Sequence, residues 1–511
     1  MKRALIIIVI TVLIILTGLF FWLRYGVGEQ QIQSLVSNAL GPKYSVDIKS
    51  ARVFPLQRAV SIGQISISTI NDEQIIFQSD TLHISGLSPM IYFGENIMFS
   101  RVKIDNFTIN WDTSLLSEDD EPTDESSVKK IEIQSLDLTN GTIVMTEDGV
   151  ENDRINSLNL KTGLYFEFIT DNDSMKSNQY NVDVDSLGFL FSEDRYRFSL
   201  SDFTFDQQDS LLTLSSLKLT PIGGYFEFMS SLEYKTNMFE VGITNLTADG
   251  IDPTAFINQD IIKARTLDFD AFSIHISTNL QLSEKPDKLL PTLLNETIQN
   301  LPYAIQLESL FFRNTNIQYS EQHADGVRPG TISFMNSTIQ IHDVNSLSPS
   351  PANLNAVTYL QNHSALNTKL SFTLDNSPFQ MSGSGNMQQF DLKQLNSIVM
   401  DLMGMEVMDG FVDNIEFDFE MKADSSSGSM HLVYEDLKVE VVDKDDHEES
   451  FIDSIKSLLA NEIVLEAHNV ADDNNEVRTG EINHTRPPDS PFFQHLWHTL
   501  RSGIYDIAIR L

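Results

Sequence analysis

The sequence predicts a mainly β protein: a long curved antiparallel sheet forming an apolar groove, with an N-terminal transmembrane helix and a few amphipathic helices. Three observations predict it. An eight-residue figure, apolar at its first, third, sixth and eighth positions, recurs along the chain. An uninterrupted apolar run near the N-terminus carries no charge. Apolar residues at helical spacing are confined to a few short segments.

Written hxhxxhxh, the figure reads IEIQSLDL at 131–138. It recurs at 46–53, 60–67, 102–109, 182–189, 198–205, 212–219 and 241–248, with looser copies at 267–274, 305–312 and 432–439. With 41% apolar residues, roughly two strict matches are expected by chance, so the excess is an internal repeat. On a helix the four apolar positions fall at about 0°, 200°, 140° and 340°, which is no single face. On a strand, residues two apart share a face, and the odd step between the pairs flips the second pair. A β-bulge at the xx dipeptide returns all four to one side and bends the strand. The alternative is two short strands joined by a kink and buried on opposite faces of a sandwich.

Read as bent strands, the groove is lined by Val102, Ile104, Phe107 and Ile109, and by Ile131, Ile133, Leu136 and Leu138. Val182, Val184, Leu187 and Phe189 follow, then Phe198, Leu200, Phe203 and Phe205. The remaining lining is Leu212, Leu214, Leu217 and Leu219, with Ile305, Leu307, Leu310 and Phe312.

In chain order, residues 1–27 form the anchor. The run from Ala4 through Leu13 to Leu23 is uncharged, and a helix of that length spans about 30 Å, one hydrocarbon core. Lys2 and Arg3 before it, against Arg24 behind it, keep the N-terminus cytoplasmic and export the rest. The run is too long for a signal peptide, and no small-x-small cleavage site follows. Residues 28–116 hold an amphipathic helix (Ile32, Leu35, Val36, Ala39, Leu40), stopped at Gly41-Pro42, and then strands. Residues 117–127, SEDDEPTDESS, are an acidic linker. Residues 128–284 form a first β-groove module, opening on a hairpin turned at Asn140-Gly141.

Residues 285–301 are a connecting helix with Leu289, Leu290, Leu293, Leu294 and Ile298 on one side, its start set by Pro286 and Pro291. Residues 302–442 are a second module. Its opening, IQLESLFFRNTNIQYSE at 305–321, matches IEIQSLDLTNGTIVMTE at 131–147 at six apolar positions, 131/305, 133/307, 136/310, 138/312, 143/317 and 145/319, which suggests a duplication. A smaller echo joins SLNLKTGLYFEF at 157–168 to SLKLTPIGGYFEF at 216–228. Residues 391–403 read as a helix. Residues 443–511 are a cap of helices and strands. Its last helix is capped by Ser490, starts at Pro491, carries Phe492, Phe493, Leu496, Trp497 and Leu500, and breaks at Gly503. It either plugs the end of the sheet or touches a membrane or partner.

The net charge of −38 argues against nucleic acid and against a polybasic grip on anionic lipid. Without cysteine there is no disulfide framework, thiolate nucleophile or Cys-zinc site. The chain contains no GxSxG, no phosphate-binding glycine loop and no HExxH, and Gly383-Ser384-Gly385 reads as a turn. His495 and His498 stand three apart on a helix with no third ligand nearby in sequence. No catalytic residue, metal site or cofactor is assigned, and the chain does not read as an enzyme.

A family resemblance rests on the apolar run 4–23, on YSVDIKSARV (44–53) and on the recurring strands. It continues in LKQLNSIVMDLMGMEVMDGFVDNIEFDFEMK (392–422), GSMHLVYEDLKVEVV (428–442) and FFQHLWHTLRSGIYD (492–506). In these the chain resembles the AsmA-like proteins of bacterial envelopes, relatives of TamB and of the bridge-like lipid transfer proteins built from repeating β-grooves. The resemblance implies a single-pass inner-membrane anchor and a periplasmic body. It also implies a part in phospholipid transport or outer-membrane biogenesis, with contact to the inner membrane and to the outer membrane or an envelope protein. From the residues alone, an apolar sheet face must be covered by a sheet, by helices or by a ligand, and phospholipid acyl chains fit a trough. The competing expectation is an envelope scaffold that binds a protein partner without lipid, its paired sheets sharing a dry core.

Overall fold

Each copy of the hxhxxhxh figure is rich in Val, Ile, Phe and Thr, residues that fit a pleated, half-buried surface. The computed structural model describes residues 44–54, 57–70, 75–86, 96–112, 130–147, 150–169, 174–191, 195–283, 290–322, 329–403, 405–441, 464–471 and 476–510. Among the described residues, nineteen strands are joined in one hydrogen-bonded sheet. The chain divides into two compact units, Met1–Lys218 and Leu219–Leu511. The expected anchor with Ala4, Leu13 and Leu23, the helix after it and the acidic linker lie outside the described residues. Among the described residues, no helix is long and apolar enough to cross a membrane.

The first unit contains β1 (Tyr44–Phe54), β2 (Ala59–Thr69), β3 (Ile75–Ser85), β4 (Asn96–Phe99), β5 (Arg101–Asp112) and β6 (Lys130–Ile133). It continues with β7 (Leu136–Glu147), β8 (Val150–Ile169), β9 (Ser174–Phe191), β10 (Tyr196–Asp206) and β11 (Leu211–Pro221), whose last three residues already belong to the second unit. Strands β1, β2, β3 and β5 pair antiparallel in that order, β5 pairs with β7 in parallel, and β7 to β10 continue antiparallel.

The second unit contains β12 (Met238–Asp249), β13 (Ile261–Asn279), β14 (Ala304–Gln322), β15 (Gly330–Asn345), β16 (Ala352–Leu360) and β17 (Ser364–Phe372). After them come β18 (Gln380–Asp391), β19 (Met405–Lys422), β20 (Ser425–Val441), β21 (Val464–Leu465), β22 (Thr479–Thr485) and β23 (Ile509–Arg510). From β12 to β20 each strand pairs with the next, β22 closes the row on β20, and only β13–β14 is parallel. Among the described residues, five α-helices accompany it: α1 (Gly224–Ser230), α2 (Pro253–Gln259), α3 (Leu294–Gln299), α4 (Asn396–Met403) and α5 (Phe492–Ala508).

The bend has one recurrent cause. Ten mid-strand residues hold φ between +42° and +61°: Gln64, Asn106, Asn140, Asp202, Asn245, Asn314, Asn336, Asp343, Gln389 and Asp436. In each copy of the figure that contains one, it is the second residue of the xx dipeptide. A left-handed residue reverses the pleat, and Asn and Asp tolerate that conformation because their side chains bond locally. In β1–β2, β9–β10 and β12–β13 the register is the same on both sides of the bend, as in Ile48↔Ile65 and Ser50↔Gly63 around Gln64. No residue is inserted there, whereas register shifts of the β-bulge kind do occur in β7–β8, β14–β15, β15–β16 and β19–β20. Both strands reverse together, one of them through a left-handed residue. The four apolar positions thus share a face, as Val60, Ile62, Ile65 and Ile67 show, each at most 1% exposed. Opposite-face burial is ruled out for that strand.

Several local expectations are corrected. Asn140-Gly141 is no hairpin turn: β7 runs through it, with Asn140 as the left-handed residue. Gly141 is bare because the Phe107 ring lies over it, and a Cβ there would come within 2.1 Å of the ring. Gly383 and Gly385 are likewise mid-strand in β18, under the rings of Phe419 and Phe417. The YFEF of 165–168 is strand in β8, whereas that of 225–228 is helix α1, because Gly223 and Gly224 at φ +78° and +75° end the strand first. Helix α3 starts at Leu294, three residues past Pro291. Helix α5 continues through Gly503, which is small because Ile482 and Met430 press on it.

The parallel pairs match in the two units. Leu136, Leu138 and Ile143 stand beside Val102, Ile104 and Ile109; Leu310, Phe312 and Ile317 stand beside Leu267, Phe269 and Ile274. The corresponding Asn140 and Asn314 are both left-handed.

Candidate functional site

The expected lining residues fall into two environments. Val102, Ile104, Phe107, Ile109, Ile133, Leu136 and Leu138 are packed in a closed core with the apolar residues of β1, β2 and β3. Side chains so covered leave no room for a guest. Ile131 is in β6, paired with Ile97 of β4.

Most of the others remain partly open. In the first unit, Phe198, Leu200, Phe203 and Phe205 stand opposite Phe189, Leu187, Val184 and Val182 across β9–β10. All but Phe205 are half-buried, and none belongs to the closed core. The Phe189 and Phe198 rings stack at 4.8 Å. On β11, Leu214 is buried while Leu212, Leu217 and Leu219 are half-buried.

In the second unit the apolar face is continuous through the register. Ile305, Leu307, Leu310 and Phe312 of β14 lie beside Ile262, Ala264, Leu267 and Phe269 of β13. Across β14–β15, Leu307, Leu310 and Phe312 meet Val344, Ile341 and Ile339. Leu246 stands opposite Phe269, and Ile243 opposite Phe272. The Phe269 and Phe312 rings stack at 4.5 Å and 4°, with the edge of Phe272 on Phe312 at 5.4 Å. Ile262 is 36% exposed, and Ile305, Leu307, Leu310 and Phe312 are half-buried. The apolar residues of β12, β13 and β14 belong to neither closed cluster of the chain.

Beyond β16 the same face closes. Phe372, Met381, Phe419, Met430, Tyr434 and Ile482 are buried, and α5 packs its His495, Thr499, Gly503 and Ile507 side down beside them. Helix α4 lies against β15 and β19. The face therefore has an open part over β12–β14 and a closed part under α5.

The opposite surface is polar. A ladder of side chains follows the bends: Asn106 Nδ2 donates to Asp80, Asn140 Nδ2 to Asn106 and Asn159 Nδ2 to Ser186. Arg313 holds Asp268 through two hydrogen bonds of 2.9 and 2.6 Å, which keeps that carboxyl below its usual range. A shallow cleft of about 620 Å³ on this side is lined by Gln340, Asn355, Lys369, Ser384, Asp418 and His431 among others.

Two histidine clusters emerge, one not legible in the sequence and one legible only in its His495 and His498 pair. His275 Nε2 lies 2.8 Å from Ser320 Oγ and 3.2 Å from Ser277 Oγ. Ser320 also bonds Thr331 and is 2% exposed, so this is an internally satisfied polar seam. His484 of β22 brings its ring to 5.4 Å from His495 and 5.2 Å from His498. Among the described residues no group of side chains could hold a metal ion.

No protein-family model matches the chain, and no curated protein matches its sequence.

Proposed function

We propose that the open apolar faces bind lipid acyl chains, and that the protein is an inner-membrane-anchored periplasmic component of phospholipid transport or outer-membrane biogenesis. The observation that carries the reading is the face over β12–β14. Its side chains match strand to strand, yet apart from the buried Ala264 and Phe269 they stay half open or exposed, and none joins a closed cluster. Each such side chain forgoes about 1 kcal/mol relative to full burial, and contiguous apolar area of this kind is characteristic of a binding surface. An acyl chain asks only for continuous apolar contact, which this face offers without directed polar groups at its centre. The uncharged run 4–23 supports the anchored part of the reading.

A photo-crosslinking phenylalanine analogue at position 312 of the full chain tests it. Irradiation in membranes should yield a phospholipid adduct by mass spectrometry, and the same analogue at Phe107, inside the closed core, should yield none. Protein adducts alone at position 312 would favour the scaffold reading. Phe312→Asp should leave folding intact and abolish lipid capture, whereas Ile104→Asp should unfold the first unit.

A further inference from the structure

We infer that the polar cleft over β15–β20 binds an extended, uncharged glycan. The cleft, about 620 Å³, lies on the polar side of the second unit, away from the open apolar face, and the inference stands whether or not that face carries lipid. Its floor is a row of side chains held in register. Gln340, Asn355, Lys369, Ser384, Asp418 and Ser429 are successive partners from β15 to β20. A second row runs beside it through Val357, Asn367, Asn386, Glu416 and His431. Neighbouring strands stand about 4.8 Å apart, so each row is about 20–24 Å long and crosses the strands at a fixed step. That step is close to the advance of one pyranose ring along an extended β-linked chain.

The side chains suit hydroxyls. A carboxamide offers both donors and acceptors in one plane, as does a pair of neighbouring sugar hydroxyls. Among the described residues, the side chains of Gln340, Asn355, Lys369 and Ser384 take no polar partner, although all four are exposed in the cleft. Asn367 donates to Asn386 at 3.0 Å and Ser429 donates to Asp418, which fixes the orientation of the groups between them. Val357 and Tyr359, two residues apart on β16 and so on one face, are 40% and 37% exposed. They give the C–H side of a sugar ring an apolar surface beside the amides.

Charge and topology exclude the other occupants. One cation, Lys369, stands in the cleft with Glu416 and Asp418, so nucleic acid and anionic polysaccharide are repelled. A peptide adding as a strand needs a free sheet edge. Each of these six strands already has a neighbour on both sides.

Calorimetry and saturation-transfer NMR on the full-length protein, in a detergent without sugar head groups, test the inference. The probes are cellohexaose and chitohexaose, both β-1,4-linked, with coiled maltohexaose and anionic polygalacturonate for comparison. A β-linked hexaose should bind, and severalfold more tightly than its trimer, because the trimer spans only half of the row. Gln340→Ala with Asn355→Ala should weaken that binding about tenfold through the loss of their hydrogen bonds. Both positions are exposed, so the melting temperature should stay where it is. Absence of saturation transfer from either β-linked hexaose at millimolar concentration overturns the inference. So does binding that the double variant leaves unchanged, or a preference for maltohexaose or polygalacturonate.

Discussion

Asn140 holds φ at +50°, its N–H donates to Asn159 Oδ1 at 2.8 Å, and its Nδ2 donates to Asn106 Oδ1 at 2.8 Å. One residue therefore reverses the pleat of β7 and ties the strands on both sides of it. A β-branched residue cannot occupy that conformation without strain of about 1–2 kcal/mol, and the lost side-chain bond adds about 1 kcal/mol. Asn140→Val should destabilise the first unit by about 2–3 kcal/mol. Asn140→Gly keeps the backbone geometry and loses only the side-chain bond, so it should cost about 1 kcal/mol. Urea midpoints of the two variants check this order; equal losses would mean that the left-handed conformation is not what the residue supplies. The same chemistry explains a misleading dipeptide. Asn-Gly is the strongest short hairpin indicator because both residues accept positive φ, and a mid-strand pleat reversal asks for the same residue. What separates the two uses is the Phe107 ring on Gly141, a contact from another strand that no local pattern contains.

Helix α5 illustrates how an element carries both a packing role and a pH response. Burial lowers the pKa of His484, His495 and His498 below the ordinary value, His498 to about 4, and the Arg501 charge adds to the effect on His484 and His498. In the unfolded chain these rings titrate near ~6.5. Above that pH they are neutral in both states and the docking of α5 is at full strength. Between there and about 4 the unfolded state binds protons that the folded state refuses, so stability falls as pH falls. The surrounding carboxylates work the other way in a chain of net charge −38, since their protonation relieves repulsion. The comparison that isolates the histidines is therefore wild type against His498→Gln. The opening free energy of α5, read from amide exchange after correction for the pH dependence of the intrinsic rate, should fall from pH 7.5 to 5 in the wild type, and by clearly less in the variant; parallel profiles would remove the histidines from the account. The elements were legible in unequal measure. The bent strands follow from hxhxxhxh because that spacing fits no helix and no flat strand. The helix at 492–508 follows from its apolar period, but Gly503 reads as a break because nothing local announces that Ile482 and Met430 press against it. The lining positions were legible as a pattern only: Val102–Ile109 and Ile305–Phe312 carry the same figure, and whether another layer covers them is decided by segments far away in sequence.

At the scale of the whole chain, stability resides in two cores that share no residue. One gathers Val46, Ile62, Ile65, Leu82, Ile84, Ile104 and their neighbours from β1–β7; the other gathers Phe390, Phe419, Met421, Met430, Tyr434, Ile482 and Ile507. Strands β9, β10, β12, β13 and β14 contribute almost nothing to either, because their apolar sides are only half covered. A sheet of this kind need not unfold in a single step, since long arrays lose cooperativity where the interface between neighbours is weak. Truncating a fully buried isoleucine costs about 2–5 kcal/mol and is felt by the cooperative unit that contains it. Ile62 and Ile482 are both 0% exposed, one in each core. Ile62→Ala should lower the denaturant midpoint of peptides from β1–β7 and leave those from β18–β22 in place; Ile482→Ala should do the reverse. Hydrogen exchange read by mass spectrometry across a urea series separates the two sets. If either variant shifts every peptide by the same amount, the cores are energetically one, and the half-covered strands transmit far more cohesion than their burial implies. If the sets move separately, lipid bound over β12–β14 should stabilise peptides of the second unit while leaving those of β1–β7 unchanged, because a ligand stabilises only the cooperative unit whose folded form it binds.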